Sequence, residues 1–289
     1  TGTDAQTINV VAGAGGSAIA VTTSGGLVNN GVTTFAVTGS ALNTPGTYTL
    51  ATYTGSLGGS GTWAVSLPPR VAATLDFSTA GQINLVVTGT DTIKWTGATD
   101  GNWDTATTNW KQIVANTATM FINGTPGDTV TFDDTLTANP SVTLNSTLTP
   151  ASVTVNNSST TYSIGGSGKI TGGTTSLTKT GTGTFPLDTT GGNDYSGGTT
   201  VSAGTLKLGA ANVLPTGGTV TLNGTLDLNA GSQQVGSLTG SGTIGNTGGS
   251  TPVLTVNNSA AATFSGVIGD GSGTTALTKS GAGTLTLSG

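Results

Sequence analysis

The stretch Leu177-Thr178-Lys179-Thr180-Gly181-Thr182-Gly183-Thr184-Phe185 returns 100 residues later as Leu277-Thr278-Lys279-Ser280-Gly281-Ala282-Gly283-Thr284-Leu285. Upstream of each copy lies a second matched block, Thr154-Val155-Asn156-Asn157-Ser158 and then Thr255-Val256-Asn257-Asn258-Ser259. A chain that repeats itself in this way stacks similar units rather than closing one unique core. Leu177, Lys179, Gly181 and Gly183, with Leu277, Lys279, Gly281 and Gly283, define the repeat. A Lys at the same place in both copies points to a repeated structural role rather than to catalysis.

Around these blocks apolar and polar residues alternate. Ser141-Val142-Thr143-Leu144, Ser152-Val153-Thr154-Val155, Thr205-Leu206-Lys207-Leu208, Thr219-Val220-Thr221-Leu222 and Thr225-Leu226-Asp227-Leu228 all follow the pattern. Period two means a strand with one apolar and one polar face. Thr suits the outer face, being β-branched and tolerant of water. Leu206 to Leu226 is 20 residues, Leu226 to Ile244 is 18 and Phe264 to Leu285 is 21. That is about one coil of a β-solenoid, in which Val, Leu and Ile point inward and successive coils pair as parallel strands ~4.8 Å apart. No window shows the i, i+3, i+4 apolar spacing of a helix. The expectation is an all-β chain, a parallel β-helix (β-solenoid) of ~20-residue coils.

Composition agrees. Of 289 residues 49 are Gly, only 7% are charged and 34% are hydrophobic. All twelve acidic residues are Asp. A net charge of −5, with basic residues scattered from Arg70 to Lys279, argues against a nucleic-acid partner. No run approaches the ~20 apolar residues of a spanning helix, so no membrane insertion is expected. With no His and no Cys there is no disulfide, and the usual zinc and copper ligands are missing. Without an initiator Met or a signal peptide, the sequence reads as a mature or excised piece.

The composition shifts near residue 90. Residues 1–92 read as a β-rich solenoid segment closing a preceding unit. Residues 93–289 read as a repeat-containing unit that begins with a Trp-rich block, Trp95, Trp103 and Trp110, three of the four Trp of the chain.

Gly192-Asn193-Asp194-Tyr195-Ser196-Gly197-Gly198-Thr199-Thr200-Val201-Ser202-Ala203-Gly204-Thr205-Leu206, directly after the first Leu177–Gly183 block, resembles the autotransporter-associated β-strand repeat. The run from Leu226 through Gln233-Gln234-Val235-Gly236-Ser237-Leu238 looks like the connecting coils of that family. The resemblance is tight over 93–289 and looser over 1–92. It implies a right-handed parallel β-helix displayed outside the cell or on the bacterial cell surface. It implies a non-enzymatic structural or adhesive repeat protein and specifies no ligand. Phe185-Pro186-Leu187 departs from the family pattern, and a ladder hydrogen bond should be lost at Pro186.

Several residues invite a chemical reading. Asp133-Asp134 is the one adjacent acidic pair, but strand alternation sends the two side chains to opposite faces, a poor basis for a polysaccharide lyase or hydrolase. Asp188 and Asp194 flank Gly191-Gly192 and could hold calcium, although a solvated loop explains them more simply; no cofactor is otherwise expected. Trp95, Trp103 and Trp110 could form a platform for surface glycans, against the simpler reading of a hydrophobic plug between solenoid segments. Asn157-Ser158-Ser159 and Asn223-Gly224-Thr225 fit the N-glycosylation pattern. Both chain ends, Thr1-Gly2-Thr3 and Leu285–Gly289, read as open coils. The expected partners are therefore adjacent repeats of a longer chain, or other copies stacked head to tail into a filament.

Overall fold

The computed structural model describes residues 5–12, 19–22, 25–39, 42, 44–124 and 127–289. Thr1-Gly2-Thr3, read above as an uncapped coil, lies outside them. The chain forms two compact units, Thr1–Asp91 and Thr92–Gly289. Among the described residues every regular element is a strand.

The first unit begins with parallel winding. Gln6–Val11, Val32–Thr38 and Thr62–Ser66 pair in parallel, as do Ile19–Val21 with Gly46–Tyr53. It then departs from solenoid winding, because Val71–Asp76 and Gly46–Tyr53 both run antiparallel to Gln82–Thr90. The change follows Pro68-Pro69 and Arg70, whose φ of 71° reverses the chain where no parallel ladder can continue. Phe35, Leu50, Ile83 and Leu85 are fully buried between these strands, and Phe35 stacks on Trp63 at 5.7 Å.

The second unit is a parallel β-solenoid with three faces. Its front face is an 11-stranded sheet, in which nine parallel strands run from Ile93–Trp95 to Leu285–Leu287 beyond an antiparallel hairpin at one edge. A 7-stranded sheet from Ser141–Thr143 to Val267–Ile268 forms the side face. The third face is split into a pair, Thr147–Leu148 with Lys169–Ile170, and a trio, Gln233–Val235, Val253–Asn257 and Ala276–Ser280. Register along the front sheet passes from Val153 to Leu177, Thr199, Val220 and Leu238, so a coil takes between 18 and 24 residues. Nine rungs at ~4.8 Å make this face about 40 Å long.

Alternation decides what lies inside. Val153, Leu177, Val220 and Leu238 stack in one buried column, and Phe132, Val155, Val201, Leu222 and Phe264 in the next. Between them, pointing outward, stand Thr131, Thr154, Thr178, Thr200, Thr221 and Thr239, opposite one another rung after rung, and the same position is Thr in Thr263 and Thr286. Pro186 lies within Thr184–Thr189, an internal strand of the side sheet. Pairing with the preceding rung starts only at Ile164↔Leu187, leaving Ser163 without a partner at Pro186. Pro has no N–H to give there.

The two copies of the repeat block occupy different faces. Leu177–Thr180 belongs to the front sheet, and the chain turns the corner into the side sheet at Thr184. Ala276–Ser280 belongs to the third face, and its chain turns into the front sheet at Leu285. One hundred residues are therefore not a whole number of coils.

Candidate functional site

Both blocks build the same corner. Asn157, at the end of Ser152–Asn156, is fully buried, and its Nδ2 donates to Thr160 O at 2.6 Å and to Thr184 O on the next rung at 3.0 Å. Asn258 repeats this with Ala260 O at 2.6 Å and Thr284 O at 2.9 Å. The next rung answers through its backbone, with Gly183 N donating to Asn157 O at 2.9 Å and Gly283 N to Asn258 O at 2.8 Å. Gly181 has φ 70° and lies so close that a Cβ would come within 2.3 Å of Asn157 O; Gly281, at φ 74°, stands the same way to Asn258 O. Only Gly meets both demands.

Lys179 completes the corner. It pairs with Val155 and Val201, so strand alternation aims it into the solenoid, where it is fully buried. Its Nζ donates to Gly181 O at 2.8 Å and to Thr180 O. Burial lowers its pKa to about 8, while the charge of Asp134 acts in the opposite sense. Lys279 makes the same pair of bonds, to Ser280 O and to Gly281 O at 3.0 Å. In both copies the Lys closes turn carbonyls which no strand can satisfy, as a buried cation at Lys179 and an exposed one at Lys279 on the last rung.

Trp95, Trp103 and Trp110 form the end of the second unit. Trp110–Gln112 runs antiparallel to Ile93–Trp95 and to Ala118–Thr119, and the hairpin seals three indoles against Phe121 and Phe132, with Phe132 in turn meeting Tyr162 edge to face at 5.5 Å. The Trp95–Trp110 rings meet edge to face at 5.0 Å and the Trp103–Trp110 rings at 5.4 Å. At most 1% of any of the three is exposed. A sugar-stacking platform needs open ring faces, so the glycan-binding reading of Trp95, Trp103 and Trp110 is corrected: they are a plug. A shallow cleft of about 530 Å³ lies beside it, lined by Thr105, Met120, Phe121, Ile122 and Asn123.

The acidic residues serve the backbone. Asp133 bonds Thr135 and lies 3.8 Å from Lys94. Asp134 turns away and accepts from the N–H groups of Ser158, Ser159 and Thr160 on the next rung, which brings its pKa down to about 2. Asp194 is held by Lys169 at 2.7 Å, and that hydrogen bond lowers its pKa. Burial raises the pKa of Asp188, with Lys207 pulling the other way. Among the described residues no three Asp side chains cluster closely enough to hold a metal ion. Asn157 is enclosed and has both amide hydrogens engaged, so it is no glycan acceptor; Asn223 is exposed, its Oδ1 accepting from Ser241 N at 3.3 Å.

Asp227 was missed by the sequence reading, which placed it outside beside inward Leu226. Both are buried. Asp227 bridges rungs by accepting from Thr247 N at 2.9 Å and Thr247 Oγ1 at 2.6 Å, with Lys207 at 3.9 Å. Its only signal in the sequence is the register that puts Lys207 opposite it, which requires the coil length to be known.

No curated protein and no solved structure matches the chain. The family model of the passenger-associated-transport-repeat matches the chain over residues 177–208, the first corner block and the coil after it, and again over 277–289.

Proposed function

We propose that this chain is a non-enzymatic segment of an extracellular or bacterial cell-surface passenger, serving as a rigid spacer that also presents an adhesive face. The observation that carries the reading is the Thr column of the front sheet, from Thr131 to Thr239 and again at Thr263 and Thr286. Between Thr131 and Thr286 this column contains no charge, and its methyl and hydroxyl groups repeat every ~4.8 Å. Such a surface suits broad, weak, multivalent contact rather than turnover. The passenger-associated-transport-repeat matches support secretion to the surface, and rungs that pair in register support continuation by like rungs of the same or another chain.

Beads coated with the chain, passed under flow over mucin, cellulose and epithelial surfaces, test the adhesive part. Retention should fall when Thr178, Thr200 and Thr221 are together replaced by Lys, with circular dichroism unchanged. Equal retention of wild type, the triple variant and bare beads refutes it. Steady release of reducing ends from any of these glycans by the purified chain refutes the non-enzymatic part.

A further inference from the structure

Between strands Thr129–Asp133 and Ser141–Thr143 the chain turns through Asn139-Pro140, a pair that neither the corner stitch nor the Thr column uses. Asn139 is exposed and has φ 50°. Its carbonyl oxygen accepts from the indole N–H of buried Trp95 at 3.0 Å. Its side-chain Nδ2 donates to Gly97 O at 2.6 Å. Gly97 has φ 56°, and a Cβ there would approach Asn139 Cβ to 2.9 Å, so a bare backbone lies directly against the Asn side chain.

An Asn side chain can close a five-membered imide in two ways. In the usual one, the backbone nitrogen of the next residue attacks the side-chain carbonyl and ammonia leaves. Pro140 has no backbone N–H, so that route is closed. In the other, Nδ2 attacks the main-chain carbonyl carbon of its own residue, and the next residue leaves.

We propose that the Asn139–Pro140 peptide bond is a self-cleavage site. The Asn139 Nδ2–C bond forms and the bond from that carbon to Pro140 N breaks. The proton lost by Nδ2 passes to Pro140 N, which departs as a secondary amine. No water, metal or electron acceptor is consumed. The products are residues 1–139, ending in a cyclic imide, and residues 140–289, beginning with a free proline. Negative charge develops on the Asn139 carbonyl oxygen, where the Trp95 N–H already stands as a fixed donor. Gly97 O, by accepting an amide hydrogen, leaves Nδ2 richer in electrons and holds it in place. Trp95 cannot drift, because Trp110 packs on it edge to face. Cleavage would not release the pieces, since Thr129–Asp133 remains paired over five residues with Ser152–Asn156. The product is a nicked solenoid that looks whole until denatured.

The test is incubation of the purified chain, folded and in urea, followed by mass spectrometry under denaturing conditions. The folded chain should yield two fragments, the first lighter by one water than its free acid. Asn139→Gly, which keeps the left-handed backbone, should yield none. Trp95→Phe, which removes the one donor on the developing oxyanion, should slow the reaction on the order of 100–1000-fold. Pro140→Ala should redirect it to an intact, deamidated chain. A folded wild-type chain still intact when the urea sample has deamidated at Asn223-Gly224 overturns the proposal. So do the same fragments from Asn139→Gly, or cleavage in urea as fast as in the folded state.

Discussion

Replacing Leu226 with Asp tests the interior column at its most regular point. Leu226 is 1% exposed and stacks between Leu206 on one rung and Ile244 on the next. Losing the buried Leu side chain removes about 1.5–3 kcal/mol. The carboxylate that replaces it has no cation or N–H group in its column, so it would take up a proton. A buried acid shifts upward by about 3–5 pKa units, which holds it protonated at neutral pH; at ~1.4 kcal/mol for each of the roughly three pH units above its unfolded ~3.9, this costs about 4 kcal/mol at pH 7. The sum approaches the whole stability of an ordinary domain, about 5–15 kcal/mol, so these rungs should open at neutral pH. The sign with pH follows. The new acid has a folded pKa above its unfolded ~3.9, so its ionisation penalty is absent below that value and grows as pH rises to the folded pKa. Thr225→Ser, one residue away on the outer face, should cost under about 0.5 kcal/mol. Because stacked rungs need not unfold in one step, hydrogen exchange of Thr205–Leu208, Thr225–Asp227 and Thr243–Gly245 is a better assay than a single melting curve. Equal protection in the two variants at neutral pH would show that Leu226 does not face a dry interior.

Lys179 predicts a stability that rises with pH. Its folded pKa of about 8 lies below its ordinary 10.5, so between those values the unfolded chain holds a proton that the folded chain has lost. The melting temperature should climb through that window in wild type and stay flatter in Lys179→Met. Above pH 10 the trend should reverse, because burial raises the pKa of Tyr162 and Tyr195 and only the unfolded chain ionises them there. Gly181→Ala should cost about 1–3 kcal/mol for its left-handed backbone alone, and more for the contact with Asn157 O, read as a lower urea midpoint.

Much of the second unit was legible because alternation and coil length are local signals. Ser152-Val153-Thr154-Val155 fixes its own inside and outside, and about 20 residues per coil then stacks Thr over Thr. The same rule places Lys179 inward beside Leu177, yet a charge in a core column is costly enough that sequence alone favours the surface. What makes it tenable is the pair of turn carbonyls of Thr180 and Gly181, which exist only once the corner is formed. The Trp plug was open for a similar reason. Spacings of eight and seven residues do not say that Trp110 lies on an antiparallel hairpin folded back over Trp95. In the first unit Pro68-Pro69 marks a break by itself, but the antiparallel return of Gln82–Thr90 onto Gly46–Tyr53 depends on a partner far back along the chain.

The displacement of the two repeat copies by one face shows what the repeat encodes. Following the front sheet from Leu177 leads through Thr199, Val220 and Leu238 to the rung of Ala262 and Leu285, and never to Leu277. If the block specified a whole coil, its copies would have to fall on the same face. It specifies a corner instead: a strand ending in Asn, then one coil later an inward Lys and two Gly that close over that Asn. Each contact in the set spans a single rung, as Gly183 N to Asn157 O and Gly283 N to Asn258 O do. The module therefore fits any corner of the prism, and the coils between can vary from 18 to 24 residues without disturbing it. Strands need only keep period two to stay in register, which Thr, Val and Leu supply at little sequence cost. An array built this way can change length by coils or by single faces, with the Asn–Lys–Gly corner holding register wherever it occurs.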